Sequence, residues 1–523
     1  MNLIRGKIAA AFLLLFLTFA AAGADTAISI LSGPITGEEA NGVRIYRGIP
    51  YAAPPVGELR WKPPVALEPW TAPREMTRFG AVSPQPKTPF YGDLGAQSED
   101  CLFLNVWTSA KNPAEKLPVM VWIHGGAFLI GSGSQATYEG SELAKSGVVL
   151  VTLNYRLGPF GFIAHPALSA ESPHKASGNY GLMDQAFALQ WVRDNIHAFG
   201  GDPGNVTIFG ESAGGASVCA LMASPLAMGL FHKVIVLSGS QIVTLRQRDR
   251  TQAGLESAEE LGRQFIKRLG LTEGPGLLKD MRAASTADVL KAGRAAPAMA
   301  GDATADHVIV DGYFLSEPIR DVFAQKRQAN VPFICGDVAG EGTIFAKKLG
   351  LDSAEKFKAF VNNRYGPNGP EIMNIYPVTD DASVLNATAE ICGDVFFRGN
   401  RASAQKMCIL QPKTFMYYFT RTTEKMKKSG LGCYHGAELP YFFGNVGNQD
   451  DYQDADRKLS REIVNYLTRF AATGDPNGNN ALPWPLYSLS GQHLVLDETI
   501  SVGQDLRKKA LDALDRLDAS TQH

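Results

Sequence analysis

The stretch Phe199-Gly-Gly-Asp-Pro-Gly-Asn-Val-Thr-Ile-Phe-Gly-Glu-Ser-Ala-Gly-Gly215 decides the reading of this chain. Val206–Phe209 is a β-branched and aromatic run of the kind that forms a buried strand. Gly210-Glu-Ser-Ala-Gly214 follows at once, and from Ala213 onward the residues favour a helix. A G-x-S-x-G element between a strand and a helix is a sharp turn, whose flanking glycines spare the backbone a Cβ clash. Ser212 is therefore predicted to project its hydroxyl above a sheet edge, at the positive end of the following helix. Elsewhere the same five residues would be a tight structural turn holding a small serine, so the flanking elements carry the argument.

Working outward, further short apolar runs read as strands: Val119–Ile123, Val148–Leu153, Lys233–Leu237, Val331–Ile334 and Thr414–Phe419. Helical stretches such as Leu182–Ile196 and Ala213–Met222 lie between them. Apolar strands separated by helices predict an α/β fold, a mostly parallel sheet covered on both faces. Residues 245–305 are rich in Ala, Arg and Gly with weak periodicity, and read as helices and loops above the sheet. Residues 345–400 are poorly patterned and read as loops that share in walling the pocket. No repeat, low-complexity tract or linker stands out, which predicts one domain over residues 25–523.

A serine hydroxyl is a weak nucleophile and needs a base within reach, usually a histidine oriented by a carboxylate. Among nine histidines, His435 in Gly432-Cys-Tyr-His-Gly-Ala-Glu-Leu-Pro-Tyr-Phe-Phe-Gly444 follows a predicted strand after a polar loop. Read alone, that position also suits a surface histidine. Val331-Pro-Phe-Ile-Cys-Gly-Asp-Val-Ala-Gly-Glu-Gly-Thr343 offers two acids past a strand end, Glu341 and Asp337, where sheet enzymes collect functional groups. Val121-Trp-Ile-His-Gly-Gly-Ala-Phe128 runs a strand into a Gly-rich turn, whose N–H groups can face a developing oxyanion.

The chain has 523 residues, 45% hydrophobic and 20% charged, enough to bury a large core without metals or disulfides. Its N-terminus has the three parts of a secretory signal: Arg5 and Lys7, an apolar or small run Ile8–Ala22 broken by Thr18, and Ala22-Gly-Ala24 before Asp25. That run is shorter than the ~20 residues of a membrane span. Cleavage after Ala24 and a secreted or periplasmic protein are therefore expected. Removing residues 1–24 takes away two positive charges and no acid, making a chain of net charge −2 more negative still. Such a balance argues against nucleic acid or an anionic membrane surface as partner. The tail Asp505–His523 reads as a charged amphipathic helix and then polar residues, with no anchor signal. Six cysteines, none in a C-x-x-C pair, argue against structural zinc. Export permits some to oxidise. Cys219 and Cys335 read as buried thiols, and the other pairings stay open.

Taken together, these segments resemble the type-B carboxylesterase and cholinesterase family, which has the α/β-hydrolase fold. The serine signature fits from Phe199 to Gly214. The second signature is Glu99-Asp-Cys-Leu-Phe-Leu-Asn-Val-Trp107, and the N-terminal pattern is Gly42-Val-Arg-Ile-Tyr-Arg-Gly-Ile-Pro-Tyr-Ala-Ala-Pro-Pro-Val-Gly-Glu-Leu-Arg60. Asn154-Tyr-Arg-Leu157, Gly178-Asn-Tyr-Gly181 and Trp191-Val-Arg-Asp-Asn195 match as well, so the resemblance spans about Ile30 to Tyr487. It implies Ser212 as nucleophile, His435 as general base, and Glu341, followed by Gly342, as triad acid in preference to Asp337. It implies the N–H groups of Gly126, Ala127 and Ala213 as oxyanion donors, and Glu211 as a source of negative potential beside the nucleophile.

Three departures matter. No cysteine precedes Cys101, so the bridge that many animal members make there cannot form. Where cholinesterases place a choline-binding Trp, this chain has Tyr91, and Phe90–Gly95 lacks Trp. Ala127 replaces a frequent Gly, which narrows the loop. The implied activity is hydrolysis of small-molecule carboxylic esters through an acyl-enzyme, with no metal or organic cofactor. A non-catalytic binding module, or an amidase or lactonase using the same residues, are the alternatives. Natural substrate and oligomeric state stay open.

Overall fold

The computed structural model describes residues 26–521 except 89–91, 240–244, 253, 294–306, 448–450, 479–480 and 489. The leader expectation and the Tyr91 comparison therefore lie outside the described residues.

Eleven strands form one sheet. In chain order they are β1 (Glu38–Ala40), β2 (Val43–Pro50), β3 (Phe103–Thr108), β4 (Leu117–Ile123) and β5 (Val149–Leu153). Then come β6 (Gly201–Glu211), β7 (Lys233–Leu237), β8 (Phe333–Val338), β9 (Thr414–Phe419), β10 (Gln492–Leu496) and β11 (Ser501–Gln504). Their order across the sheet is β11-β10-β9-β8-β7-β6-β4-β5-β3-β2-β1. From β5 to β10 every ladder is parallel, whereas β3, β2 and β1 at one end and β11 at the other pair antiparallel. The expected mostly parallel sheet is thus present, closed by antiparallel edges.

Both faces are buried, as uninterrupted apolar strands require. Along β4, Val119, Val121 and Ile123 enter one core while Met120 and Trp122 enter the other. Strand β7 alternates likewise, with Val234 and Val236 against Ile235 and Leu237. Helices α1 (Tyr180–Asn195) and α2 (Ala213–Ala223) belong to the first layer, and α4 (Asp454–Thr473) to the second.

Two expectations need correction. The strand read as Val331–Ile334 runs from Phe333 to Val338, because Pro332 cannot donate to a ladder and pairing begins beyond it. Residues 345–400 are largely helical rather than loops: Thr343–Leu349, Ala354–Tyr365, Gly369–Ile375 and the long α3 (Val384–Leu410). Gly393 and Gly399 lower helix propensity within α3, and its burial on more than one side blurs the apolar period. The described part of residues 245–305 holds helices at Ala258–Arg268, Leu277–Ala283 and Thr286–Ala292, with loops between them and a short strand at Arg246–Gln247. The tail helix α5 spans Lys508–Thr521. No helix of the described residues is long and apolar enough to cross a membrane.

Candidate active site

Strand β6 ends at Glu211 and α2 begins at Ala213, which leaves Ser212 alone to make the turn. It does so at φ 58° and ψ −122°, a left-handed geometry that a serine holds only where its surroundings enforce it. The Ser212 N–H donates to the Leu237 carbonyl of β7 at 2.9 Å, pinning the turn to its neighbour. Gly214 makes the turn possible: a Cβ there would lie 2.0 Å from the Ile123 carbonyl oxygen. The predicted strand–turn–helix is therefore realised at Ser212.

Glu341 lies three residues beyond β8 and is fully buried. One carboxylate oxygen, Oε1, accepts from the Val338 N–H at 2.8 Å and from the Ser238 hydroxyl. The other, Oε2, accepts from Nδ1 of His435. The acid loop and the histidine loop are stitched together by the Gly340 N–H, which donates to the Cys433 carbonyl at 2.7 Å. Asp337, the rival acid, faces elsewhere and accepts from Asn400 Nδ2 at 2.7 Å. Both acids were expected past the strand end, but Asp337 lies within β8 and only Glu341 lies beyond it: Glu341 meets the histidine and Asp337 does not.

On its other side, Nε2 of His435 lies 3.0 Å from Oε1 of Glu211, the residue before Ser212. The two atoms are close but out of line, and Nε2 has no hydrogen-bond partner among the described residues. Ser212 and His435 are thus brought to one spot without being hydrogen-bonded, a looseness common before substrate arrives.

Charge in this pocket is unbalanced. Burial disfavours an imidazolium, but Glu211, Glu341 and Glu438 outweigh it and push His435 up to about 9. Burial lifts Glu211 to about 7, against the pull of His435. Glu438, three residues after His435 and fully buried, is held well above the usual carboxylate range by burial and by Glu211 and Glu341.

The Gly-rich turn after β4 lies beside the serine: a Cβ on Gly125 would come within 3.1 Å of the Ser212 Cβ. Gly126 has φ 103°, and Ala127 and Phe128 follow at φ 58° and 59°. Successive left-handed residues orient the Gly126 and Ala127 N–H groups away from regular pairing, while the Gly126 carbonyl accepts from Leu129 and Ile130. Ala213 opens α2, so its N–H belongs to the unpaired first turn.

Sequence reasoning missed four contacts. Ser238 sits just past β7, a strand-end position that carried a usable signal. Glu438 was visible three residues after His435, but nothing local marked it as buried. Phe345 and Phe396 flank the imidazole with ring centroids 5.3 and 4.7 Å away. They come from separate helices, and no sequence spacing pointed to them. All six cysteines are free thiols. Cys219 and Cys335 are buried as expected, and the oxidation that export would permit is not seen.

The sequence model of the Carboxylesterase family matches residues 24–514. The chain belongs to the carboxylesterase family. It is 38% identical to the para-nitrobenzyl esterase of Bacillus subtilis (strain 168) over 489 residues, covering 90% of this chain and 95% of that one. It is 33% identical to the fumonisin B1 esterase of Sphingopyxis macrogoltabida over 490 residues, covering 91% and 87%. A solved PNB esterase superposes with a TM-score of 0.80 at 35% identity, covering 93% of this chain and all of that one. The carboxylesterase fold is the α/β-hydrolase fold expected from the sequence. Several matched segments do structural work in it. Arg156 donates twice to buried Asp184, with Nη2–Oδ1 at 2.6 Å, and Asn154 Oδ1 accepts from the Gly133 N–H at 2.8 Å.

Proposed function

We propose that this carboxylesterase hydrolyses small carboxylic esters through an acyl-enzyme on Ser212. The observation that carries the reading is the line Glu341–His435–Glu211, which sets a histidine against the residue beside the turn that exposes Ser212. Glu341 can only accept, so His435 carries its proton on Nδ1, and neutral Nε2 is the base. His435 takes the Ser212 proton as the hydroxyl attacks the ester carbonyl. The oxyanion is met by the N–H groups of Gly126, Ala127 and Ala213. His435 then protonates the leaving alcohol, and water repeats the sequence on the acyl-enzyme. Glu341, fastened by Ser238 and Val338, keeps the imidazole in the working tautomer and stabilises the imidazolium.

The test is hydrolysis of p-nitrophenyl acetate, butyrate and octanoate by the wild type and by Ser212→Ala. Turnover that disappears in the variant supports the reading. A folded wild type that hydrolyses none of them, and takes no fluorophosphonate label, overturns it in favour of a binding module.

We also propose export with cleavage after Ala24, which the basic, apolar and small-residue order of the first 24 residues supports. Mass spectrometry of the mature protein tests this. An N-terminus at Asp25 supports it, and an intact Met1 on protein recovered from the cytoplasm sinks it.

A further inference from the structure

Helix α3 carries two stripes with different partners. The first is Ala389, Gly393, Phe396 and Asn400, spaced as one face of a helix. A Cβ on Gly342, next to the triad acid, would lie 1.8 Å from the Ala389 carbonyl oxygen, and one on Gly393 would meet the Glu341 Cβ at 3.4 Å. Phe396 rests on His435, and Asn400 donates to Asp337 and to the Gly336 carbonyl. This face of α3 is therefore moulded to the acid loop and the imidazole.

The second stripe is Asp394, Phe397, Arg398 and Arg401, and it meets the C-terminal segment. Arg507 donates to both oxygens of Asp394, with Nη2–Oδ2 at 3.0 Å, and its guanidinium lies 5.6 Å over the Phe397 ring. Asp394 also accepts from the Tyr376 hydroxyl, and its side chain is wholly buried. Arg398 pairs with Asp515, and Arg401 reaches Asp512 at 2.7 Å and Asp515 at 2.6 Å. In the outer pairs the aspartates are open to solvent, which weakens them. The Asp394–Arg507 pair differs, because removing the arginine leaves a buried carboxylate without its partner.

Two turns of one helix thus join the last residues of the chain to the imidazole. We propose that Arg507 is a positioning residue for His435: by seating Asp394 it fixes the part of α3 that carries Phe396, and Phe396 with Phe345 holds the imidazole at the angle that meets Glu341. This rests on the triad reading above. The carboxylates facing His435 are Glu211 at the end of β6, Glu341 after β8 and Glu438 on its own segment, while Asp337 of β8 is turned to Asn400. The helices Thr343–Leu349 and α3 bring the Phe345 and Phe396 rings to it. An imidazole released by α3 swings away from Glu341, so it holds its proton less tightly and its acid limb falls.

The experiment measures kcat, KM and the pH profile of p-nitrophenyl butyrate hydrolysis for Arg507→Met, Arg507→Lys and Phe396→Leu, beside Ser212→Ala. A small misplacement of a catalytic group costs on the order of 10-fold to 100-fold in rate. Arg507→Met and Phe396→Leu are expected to lose that much in kcat, with KM changed less than about 2-fold. Both should shift the acid limb to lower pH, with Arg507→Lys falling between Arg507→Met and wild type. A folded Arg507→Met with wild-type kcat and acid limb overturns the proposal, as does a kcat loss with the limb unmoved. If Arg507→Met does not fold, Arg507→Lys takes its place, and a wild-type limb in it or in Phe396→Leu is equally fatal. Ser212→Ala separates the two claims: turnover surviving there removes the triad reading itself. Turnover lost there while Phe396→Leu behaves as wild type removes only the positioning role.

Discussion

His435 Nε2 stands 3.0 Å from Glu211 Oε1, so the imidazole lies between two carboxylates rather than one. Glu341 holds Nδ1, and Glu211, next to Ser212, faces Nε2, the atom proposed to take the serine proton. This arrangement makes the base strong and also costs it availability, since a histidine pushed up to about 9 is protonated at neutral pH.

The acid limb of kcat/KM is therefore expected above the ordinary imidazole value of 6.5 and toward 9. Removing a neighbouring negative charge weakens the hold on the proton, so Glu211→Gln should move that limb to lower pH. Profiles of both proteins between about pH 5 and pH 10 check this. A limb that stays in place, or moves up, contradicts the role given to Glu211.

Ser212→Ala should lower kcat by on the order of 10⁶-fold and abolish labelling by a fluorophosphonate. Retained labelling, mapped to another serine by peptide mass spectrometry, would place the nucleophile elsewhere.

The two neighbouring acids, Asp337 in β8 and Glu341 just beyond it, make a sharp comparison. Glu341→Gln should cost on the order of 10⁴-fold in kcat, because the amide favours the wrong imidazole tautomer. Asp337→Asn, beside Asn400 and away from His435, should cost far less. The reverse ranking would exchange their roles.

Gly126 has φ +103°, and a Cβ there would sit 2.0 Å from the Ile130 carbonyl oxygen. Gly126→Ala must displace the turn that offers its N–H and that of Ala127. A loss of about 10²-fold to 10³-fold in kcat is expected, the cost of a missing oxyanion donor. Circular dichroism should show an intact fold, and near-normal kcat in that folded variant would exclude this turn as the oxyanion site.

Glu438 gives a stability prediction. Burial, with Glu211 and Glu341, holds its carboxyl well above the usual carboxylate range. A group raised in this way stabilises the fold below its unfolded pKa, and that contribution is lost as pH rises through the folded value. Glu438→Gln keeps the shape without the titration. Its Tm relative to wild type should therefore climb between about pH 5 and pH 8. A difference that is constant across that range would mean Glu438 is already ionised in the fold.

The central strands were legible because β4, β5, β7 and β9 are short apolar runs with no polar interruption, which only a two-sided burial explains. The outer strands β1, β2 and β11, of which β1 and β11 form the edges, were not, because a strand with one face toward solvent mixes polar and apolar residues. Helix α3 escaped notice for the opposite reason: Gly393 packs on Glu341, Phe396 on His435 and Asp394 on Arg507, so every side of it is used and no period survives.

At the site, the local elements were readable and their meeting was not. Ser212 was determined by its own neighbours, since a strand, a glycine-flanked turn and a helix are consecutive in the chain. The Gly-rich turn at Gly126 was readable in the same way. The choice between Glu341 and Asp337 came from resemblance alone, since both lie in one short stretch of the chain. Only the tertiary structure decided which of them touches the histidine, by turning Asp337 to Asn400 and Glu341 to His435. Glu438, Phe345, Phe396 and Arg507 belong wholly to that second kind of knowledge. Their effect on His435 depends on distance in space and on shared burial, and the spacing of residues along a chain encodes neither.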